Sequence, residues 1–249
     1  MIERTRFARK PIEAMLWYQG ESDTNPGLAE TYERRFAGLV ARLRTDLNDP
    51  SLPVIVAQSN RYTGRQSPEE HRGWSILREA QRNARKLGNV AVVPTLDLPL
   101  SDDCHTSPAG NLVLGRRKAE AALAMVYGKL PPPRYPDIES ASRGIDGRSV
   151  ELTFTGVASR LDFIAPGESD FAIEDEKGLA PIRRATVIDR NRVRLELERA
   201  VSENARVHSA FGANPTANLR DVEHSTPILA FYGLPLLGSL EFVPRTKGL

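Results

Sequence analysis

The sequence predicts an α/β domain built on a parallel sheet, followed by a small antiparallel β-sandwich. Three observations carry that expectation. Through the first half of the chain, short apolar runs alternate with long amphipathic stretches, the order expected of parallel strands joined by right-handed helical crossovers. A stiff, proline-rich stretch, Lys129-Leu130-Pro131-Pro132-Pro133-Arg134-Tyr135-Pro136, then divides the chain. Beyond it the hydrophobic period shifts from that of a helix to that of a strand. The expected limits are 1–130 for the α/β domain, 131–148 for the linker and 149–249 for the sandwich.

Each element has a local reason. Ile12, Ala14, Met15, Leu16 and Trp17 form a short apolar run that ends at polar residues, as a strand covered on both faces does. Thr24-Asn25-Pro26-Gly27 breaks the chain. Leu28, Tyr32, Phe36, Leu39, Val40, Leu43 and Leu47 then recur at helical spacing with Arg and Glu opposite, predicting an amphipathic helix over 28–47. Leu52 to Ala57 reads as a second buried strand. The polar stretch 61–72, with Gly64 and Pro68, reads as a loop over one end of the sheet. Trp74, Leu77, Ala80, Gln81, Ala84 and Leu87 mark a second helix, closed by Gly88. Val90 to Val93 is the third strand. After a turn over 97–106, Ser107 suits an N-cap and Pro108 a first helical residue, ahead of Leu112, Leu114, Ala119, Ala122, Leu123 and Val126. Past the linker, 149–154, 185–188, 192–197 and 206–211 alternate or are β-branched, with Gly, Asn and Asp between them.

Composition narrows the function classes. With 249 residues, 40% of them hydrophobic, the chain can bury a substantial core. Lys and Arg number 34 against 32 Asp and Glu, a net charge of +2, too close to balance for nucleic acid or an anionic membrane surface as partner. No apolar run approaches the roughly 20 residues of a membrane span. The basic opening Met1 to Lys10 lacks the apolar stretch and cleavage site of a secretory leader, and the compartment stays open. One cysteine, Cys104, excludes an internal disulfide and reads as a packing residue. Neither metal-ligand spacing nor a phosphate-binding glycine motif is visible, so no metal and no cofactor are expected.

Two stretches carry chemistry. Trp17-Tyr18-Gln19-Gly20-Glu21-Ser22-Asp23 sets polar groups at the carboxyl end of a strand, where open α/β sheets bind ligands. At Asp102-Asp103-Cys104-His105 a carboxylate precedes an imidazole by three residues in a turn, which can hold the ring in one tautomer for general-base work. The Gln19 amide could donate to an oxyanion, Gly20 lets a substrate approach closely, and Glu21 could orient a neighbour. Taken by themselves, both stretches read equally as hydrogen-bonded turns.

Together these blocks resemble the SGNH hydrolases, in particular the sialate O-acetylesterase-like and plant carbohydrate-esterase branch, whose members carry a WYQGES-type block and a later DxxH block. Thr106 to Asn111, Leu114-Gly115-Arg116-Arg117 and the later Asn214 to Leu219 and Gly233-Leu234-Pro235 extend the likeness. The resemblance implies a flavodoxin-like SGNH domain, N-terminally incomplete here, that removes acetyl esters from a carbohydrate. His105 would be the base, Asp102 its orienter, and Gln19, Gly20 and Glu21 would line or shape the oxyanion site. The family's nucleophilic serine lies in a GQSN block upstream of WYQGES, and no such block precedes Trp17 in this chain. Gln58-Ser59-Asn60 copies the block superficially, making Ser59 the in-chain candidate nucleophile, but it follows WYQGES and Ala57 replaces the glycine. The expected partner is an acetylated carbohydrate, with self-association through an incomplete sheet. The alternative is a non-catalytic carbohydrate-binding or scaffold remnant of the family.

Overall fold

The computed structural model describes residues 2–5, 10–25, 27–165 and 169–240. Pro26, part of the expected break before the first helix, and residues 241–249, counted by sequence with the sandwich, lie outside them.

The α/β domain is organised around β2 (Val54–Ala57), whose four residues are all buried. It pairs in parallel with β1 (Met15–Trp17) on one side and β3 (Val90–Val93) on the other. Two helices cover one face. Tyr32, Phe36, Val40 and Leu43 of α1 (Leu28–Asp46) and Leu77 and Ala80 of α2 (Pro68–Asn83) pack on Met15, Val54, Val56 and Val92. On the other face, Leu114 and Ala121 of α3 (Pro108–Met125) meet Ile55, Ala57 and Val93. Both faces of β2 are thereby covered, which is why its sequence is an unbroken apolar run.

Two expectations here need correction. The first strand is not covered on both faces: β1 ends the sheet, and Leu16, pointing away from α1 and α2, is 56% exposed. The stretch 61–72 is not wholly loop, because α2 starts at Pro68. Ser67 accepts the Glu70 N–H and the Glu70 carboxylate accepts the Ser67 N–H, a reciprocal cap with Pro at the first turn. That first turn faces solvent, so its polar residues masked the helix start. The cap expected at Ser107 is present, its Oγ accepting the Gly110 N–H.

The second domain holds a five-stranded sheet: β15 (Leu237–Leu240), β4 (Asp137–Gly144), β5 (Ser149–Thr155), β10 (Arg192–Leu197) and β9 (Ile182–Asp189), in that order. A four-stranded sheet is ordered β14 (Leu234–Pro235), β11 (Arg206–Ser209), β7 (Phe171–Asp175) and β8 (Gly178–Ala180). Three short strands, β13 (Thr226–Pro227), β12 (Leu219–Asp221) and β6 (Leu161–Phe163), form a third. Val150, Leu152 and Phe154 of β5 and Val193 and Leu195 of β10 share one core with Ile173 of β7 and Val207 of β11. β4 lies inside the stretch expected as linker, so only 131–136 connects the domains. A bulge between Ile138 and Ser140 breaks its alternation, which hid it from a period-two reading. The domain is also not purely antiparallel, since β15 runs parallel to β4.

The two domains are locked together by buried polar groups. The guanidinium of Arg78, wholly buried in α2, donates to the carbonyls of Ser59, Asn60, Gly212 and Ala213 at 2.6 to 3.1 Å. Burial without a carboxylate partner pushes its pKa down to about 9. The Gln58 amide donates to the carbonyls of Arg78 and Ala230 and accepts the Ala230 N–H. Among the described residues no helix is long and apolar enough to cross a membrane.

Candidate active site

The dyad turn lies between β3 and α3. Arg117 of α3 grips Asp97 with two nitrogens at 2.7 and 2.8 Å and also donates to the Pro94 carbonyl, holding the start of the turn. A bridge pairs Leu100 with Thr106, and the Ser101 N–H donates to the His105 carbonyl. Thr63 donates through its N–H to the Asp103 carbonyl and through its hydroxyl to the Asp103 carboxylate. These contacts leave little freedom to 101–106 at the tip.

Within that tip Asp102 is fixed from two directions. Its Oδ1 accepts the backbone N–H groups of Cys104 and His105, and its Oδ2 lies 2.7 Å from His105 Nδ1. The backbone N–H of His105, then that of Cys104, then the imidazole hold the Asp102 carboxyl down at about 2. The same hydrogen bond raises the His105 pKa, with the Asp102 charge and the more distant Glu21 charge adding to it. The imidazole side chain is 76% exposed, and no described residue bonds its Nε2. An oriented imidazole with an open Nε2 can take a proton from a hydroxyl delivered to it.

The Trp17–Asp23 block ends against this turn. The Tyr18 hydroxyl lies 2.7 Å from Thr106 Oγ1. The Gln19 carbonyl accepts from Tyr32 Oη and Gln81 Nε2, while its own amide donates to Asp23, which Arg35 of α1 holds at 2.7 Å. One Gln19 N–H is thus engaged and the other is without a described acceptor. Gly20 has φ +154°, and a Cβ there would stand 2.9 to 3.0 Å from Gln81, Leu77 and Ser59. Only glycine fits both constraints. Glu21 turns its carboxylate back on the Gly20 N–H, 2.9 Å away.

Ser59 does not join the dyad. It is fully buried, its Oγ accepts from Gln81 Nε2, and its N–H donates to Gln81 Oε1. The likeness of Gln58-Ser59-Asn60 to a nucleophile block reflects a different job, since Gln58 ties the domains and Asn60 donates to Thr106 Oγ1 and the Leu98 carbonyl. Arg78 and Tyr18 have no role that a motif in the sequence announces, and Gln81 does more than mark a helical stripe. The signal was there: Arg78 and Gln81 share the Trp74–Leu77–Ala84 face of α2, and polar residues on a buried face are positioned for bonds.

Cys104 is also misread by sequence. It is half-buried, with its Sγ 3.5 Å from His105 Nδ1, and not part of the core. Burial, then the Asp102 and Glu21 charges, raise its pKa. Spacing suggested no metal donors, yet the turn brings one donor atom each from Asp102, Cys104 and His105 within 4.8 Å of one another.

This geometry can be set beside known proteins. Residues 1–124 match the family model of the carbohydrate esterase, sialic acid-specific acetylesterase type. A relative from Arabidopsis thaliana, "Probable carbohydrate esterase At4g34215", is 39% identical over 132 residues, which is 50% of this chain and 46% of that protein. The solved structure of XAC1771, described as a novel carbohydrate acetylesterase from Xanthomonas citri, superposes with TM-score 0.77 at 25% identity over 89% of this chain and 50% of that one. The chain thus spans about half the length of the relatives it matches. Through its first 124 residues, which hold both the Trp17–Asp23 block and the Asp102–His105 turn, the chain belongs to the carbohydrate esterase, sialic acid-specific acetylesterase family.

Proposed function

We propose that this chain supplies the base, orienter and oxyanion side of a carbohydrate O-acetylesterase acting by a serine–histidine–aspartate mechanism. The observation that carries the reading is the 2.7 Å contact of Asp102 Oδ2 with His105 Nδ1 beside an open, solvent-facing Nε2. In this mechanism His105 removes the proton of a serine hydroxyl as it attacks the acetyl carbonyl, then returns it to the departing sugar oxygen. Asp102 keeps the Nδ1 proton in place and stabilises the imidazolium. The unengaged Gln19 N–H donates to the oxyanion, held there through Asp23 and Arg35. Glu21 and Gly20 shape the loop.

Among the described residues no serine hydroxyl bonds the His105 ring, and Ser59 is enclosed. The nucleophile is therefore assigned to a polypeptide segment outside these 249 residues. The outer edge of β1, bearing the exposed Leu16, is the place for it to add a strand.

The test is turnover of aryl acetate and of acetylated sugars by the chain as it stands and by a version extended with an upstream segment carrying a GQSN block. Only the extended protein should turn over, and His105→Ala should abolish it. Turnover by the present chain that disappears in Ser59→Ala would overturn the assignment.

A further inference from the structure

The Asp102–His105 turn presents three different metal donors at one point: a carboxylate oxygen, a thiol sulfur and an imidazole nitrogen. Asp102 Oδ2 and Cys104 Sγ both converge on His105 Nδ1, at 2.7 and 3.5 Å. A tetrahedral zinc ion holds its ligands roughly 3.3 Å apart for N and O and 3.6 Å apart for N and S, as its bond lengths of about 2.0 to 2.3 Å require. The sulfur is already at that spacing, and the carboxylate needs to withdraw by about half an ångström. The other Asp102 oxygen is anchored by two backbone N–H groups, so Oδ2 stays directed at the site. Asp103 and Glu21 add negative charge near the thiol. One thiolate, one imidazole and one carboxylate form a borderline-soft set that suits zinc and not magnesium or calcium, which prefer oxygen throughout.

We propose that Asp102 Oδ2, Cys104 Sγ and His105 Nδ1 form a binding site for one zinc ion, with the remaining coordination positions open to water. Binding releases the thiol proton to solvent, because only the thiolate is a ligand, and shifts the imidazole proton from Nδ1 to Nε2, which frees the Nδ1 lone pair for the metal. It also removes Nδ1 from Asp102, so the metal and the catalytic hydrogen bond exclude each other. If the esterase reading above holds, on which this last consequence rests, zinc is a reversible inhibitor of the complete enzyme.

The experiment measures metal binding alone and stands or falls apart from any esterase activity. The full chain, with its thiol reduced, is titrated with Co²⁺ as a spectroscopic stand-in, and Zn²⁺ is then added. Cys104 is the single cysteine, so a thiolate-to-cobalt charge-transfer band reports on this position and no other. We expect one Co²⁺ per chain, displacement by one equivalent of Zn²⁺, loss of the band in Cys104→Ser, and affinity lowered tenfold or more in both His105→Gln and Asp102→Asn. All three side chains lie on an accessible turn, and far-ultraviolet circular dichroism identical to the parent checks that the variants fold. Absence of the band with Co²⁺ in excess, or unchanged affinity in His105→Gln and Asp102→Asn, would overturn the proposal.

Discussion

The hydroxyl of Tyr18 meets Oγ1 of Thr106 at 2.7 Å, joining the loop after β1 to the turn that carries His105. Thr106 also receives the Asn60 amide, so the segments that follow β1, β2 and β3 are tied at one hydroxyl. Tyr18→Phe removes one link and leaves the ring. Stability should fall by about 1 kcal/mol, the usual net worth of one such bond. Amide exchange over 101–106 should rise while the core strands are unchanged; uniform exchange across the chain would show that this link does not hold the turn.

Asp102→Asn tests the origin of the raised His105 pKa. The Asp102 hydrogen bond and charge favour the imidazolium, so without the charge the ring should lose its proton at lower pH. An NMR titration of the His105 ring should show its midpoint moving down toward the ordinary histidine value. In the proposed esterase, the chain extended by its nucleophile segment, the same change should cost about 10⁴-fold in turnover, because the amide favours the wrong tautomer. An unmoved midpoint would mean that the hydrogen bond is not maintained in solution.

Gly73 lies where α2 crosses the loop after β1, and a Cβ there would run into the Thr24 carbonyl. Gly73→Ala must push that loop, with Gln19 and Glu21, away from the helix. A loss of roughly 1 to 3 kcal/mol in urea unfolding is expected, as for other overpacked sites. The exposed Gly38, with open space around it, supplies the control: Gly38→Ala should be neutral or stabilising.

His208 gives a prediction about pH. It is buried in β11, and desolvation, opposed by Glu174 and assisted by Arg72 and Arg206, lowers its pKa to about 4. The unfolded chain binds that proton first, so stability is complete near neutrality and is lost as pH falls from about 6.5 toward 4. The loss from this residue is on the order of 3 kcal/mol at most. Nδ1 accepts the Gly233 N–H, so His208→Gln keeps an acceptor while removing the titration. Denaturation midpoints between pH 7 and 4.5 should slope less in the variant, and identical slopes would refute the assignment.

Much of the α/β domain was legible because periodicity reports burial directly. The stripe from Leu28 to Leu43 and the run Val54–Ala57 leave few alternatives, and Ser107-Pro108 marks a helix start on its own. Legibility failed where local geometry departs from the ideal period. The bulge at Ile138–Ser140 disguised β4, and the solvent-facing first turn disguised the start of α2. At the site the dyad was readable because Asp102 and His105 are neighbours in sequence. Its supports Thr106, Asn60 and Gln81 were not, since their bonds span 22 to 88 residues and no local spacing encodes them.

Arg78 has a consequence for how such proteins can be taken apart. From the β domain, the carbonyls of Gly212 and Ala213 receive its guanidinium, which also holds the Asn60 carbonyl, and Asn60 in turn holds Thr106 beside His105. Grafting a foreign C-terminal module at the prolines would strand a buried cation with only the Ser59 and Asn60 carbonyls of its own domain to receive it, one hydrogen bond away from Asn60, which holds the Asp102–His105 turn at Thr106. Modularity ends at this seam: a replacement partner has to bring its own equivalent of 210–213, and lineages that exchange the second domain should be found to exchange residue 78 with it.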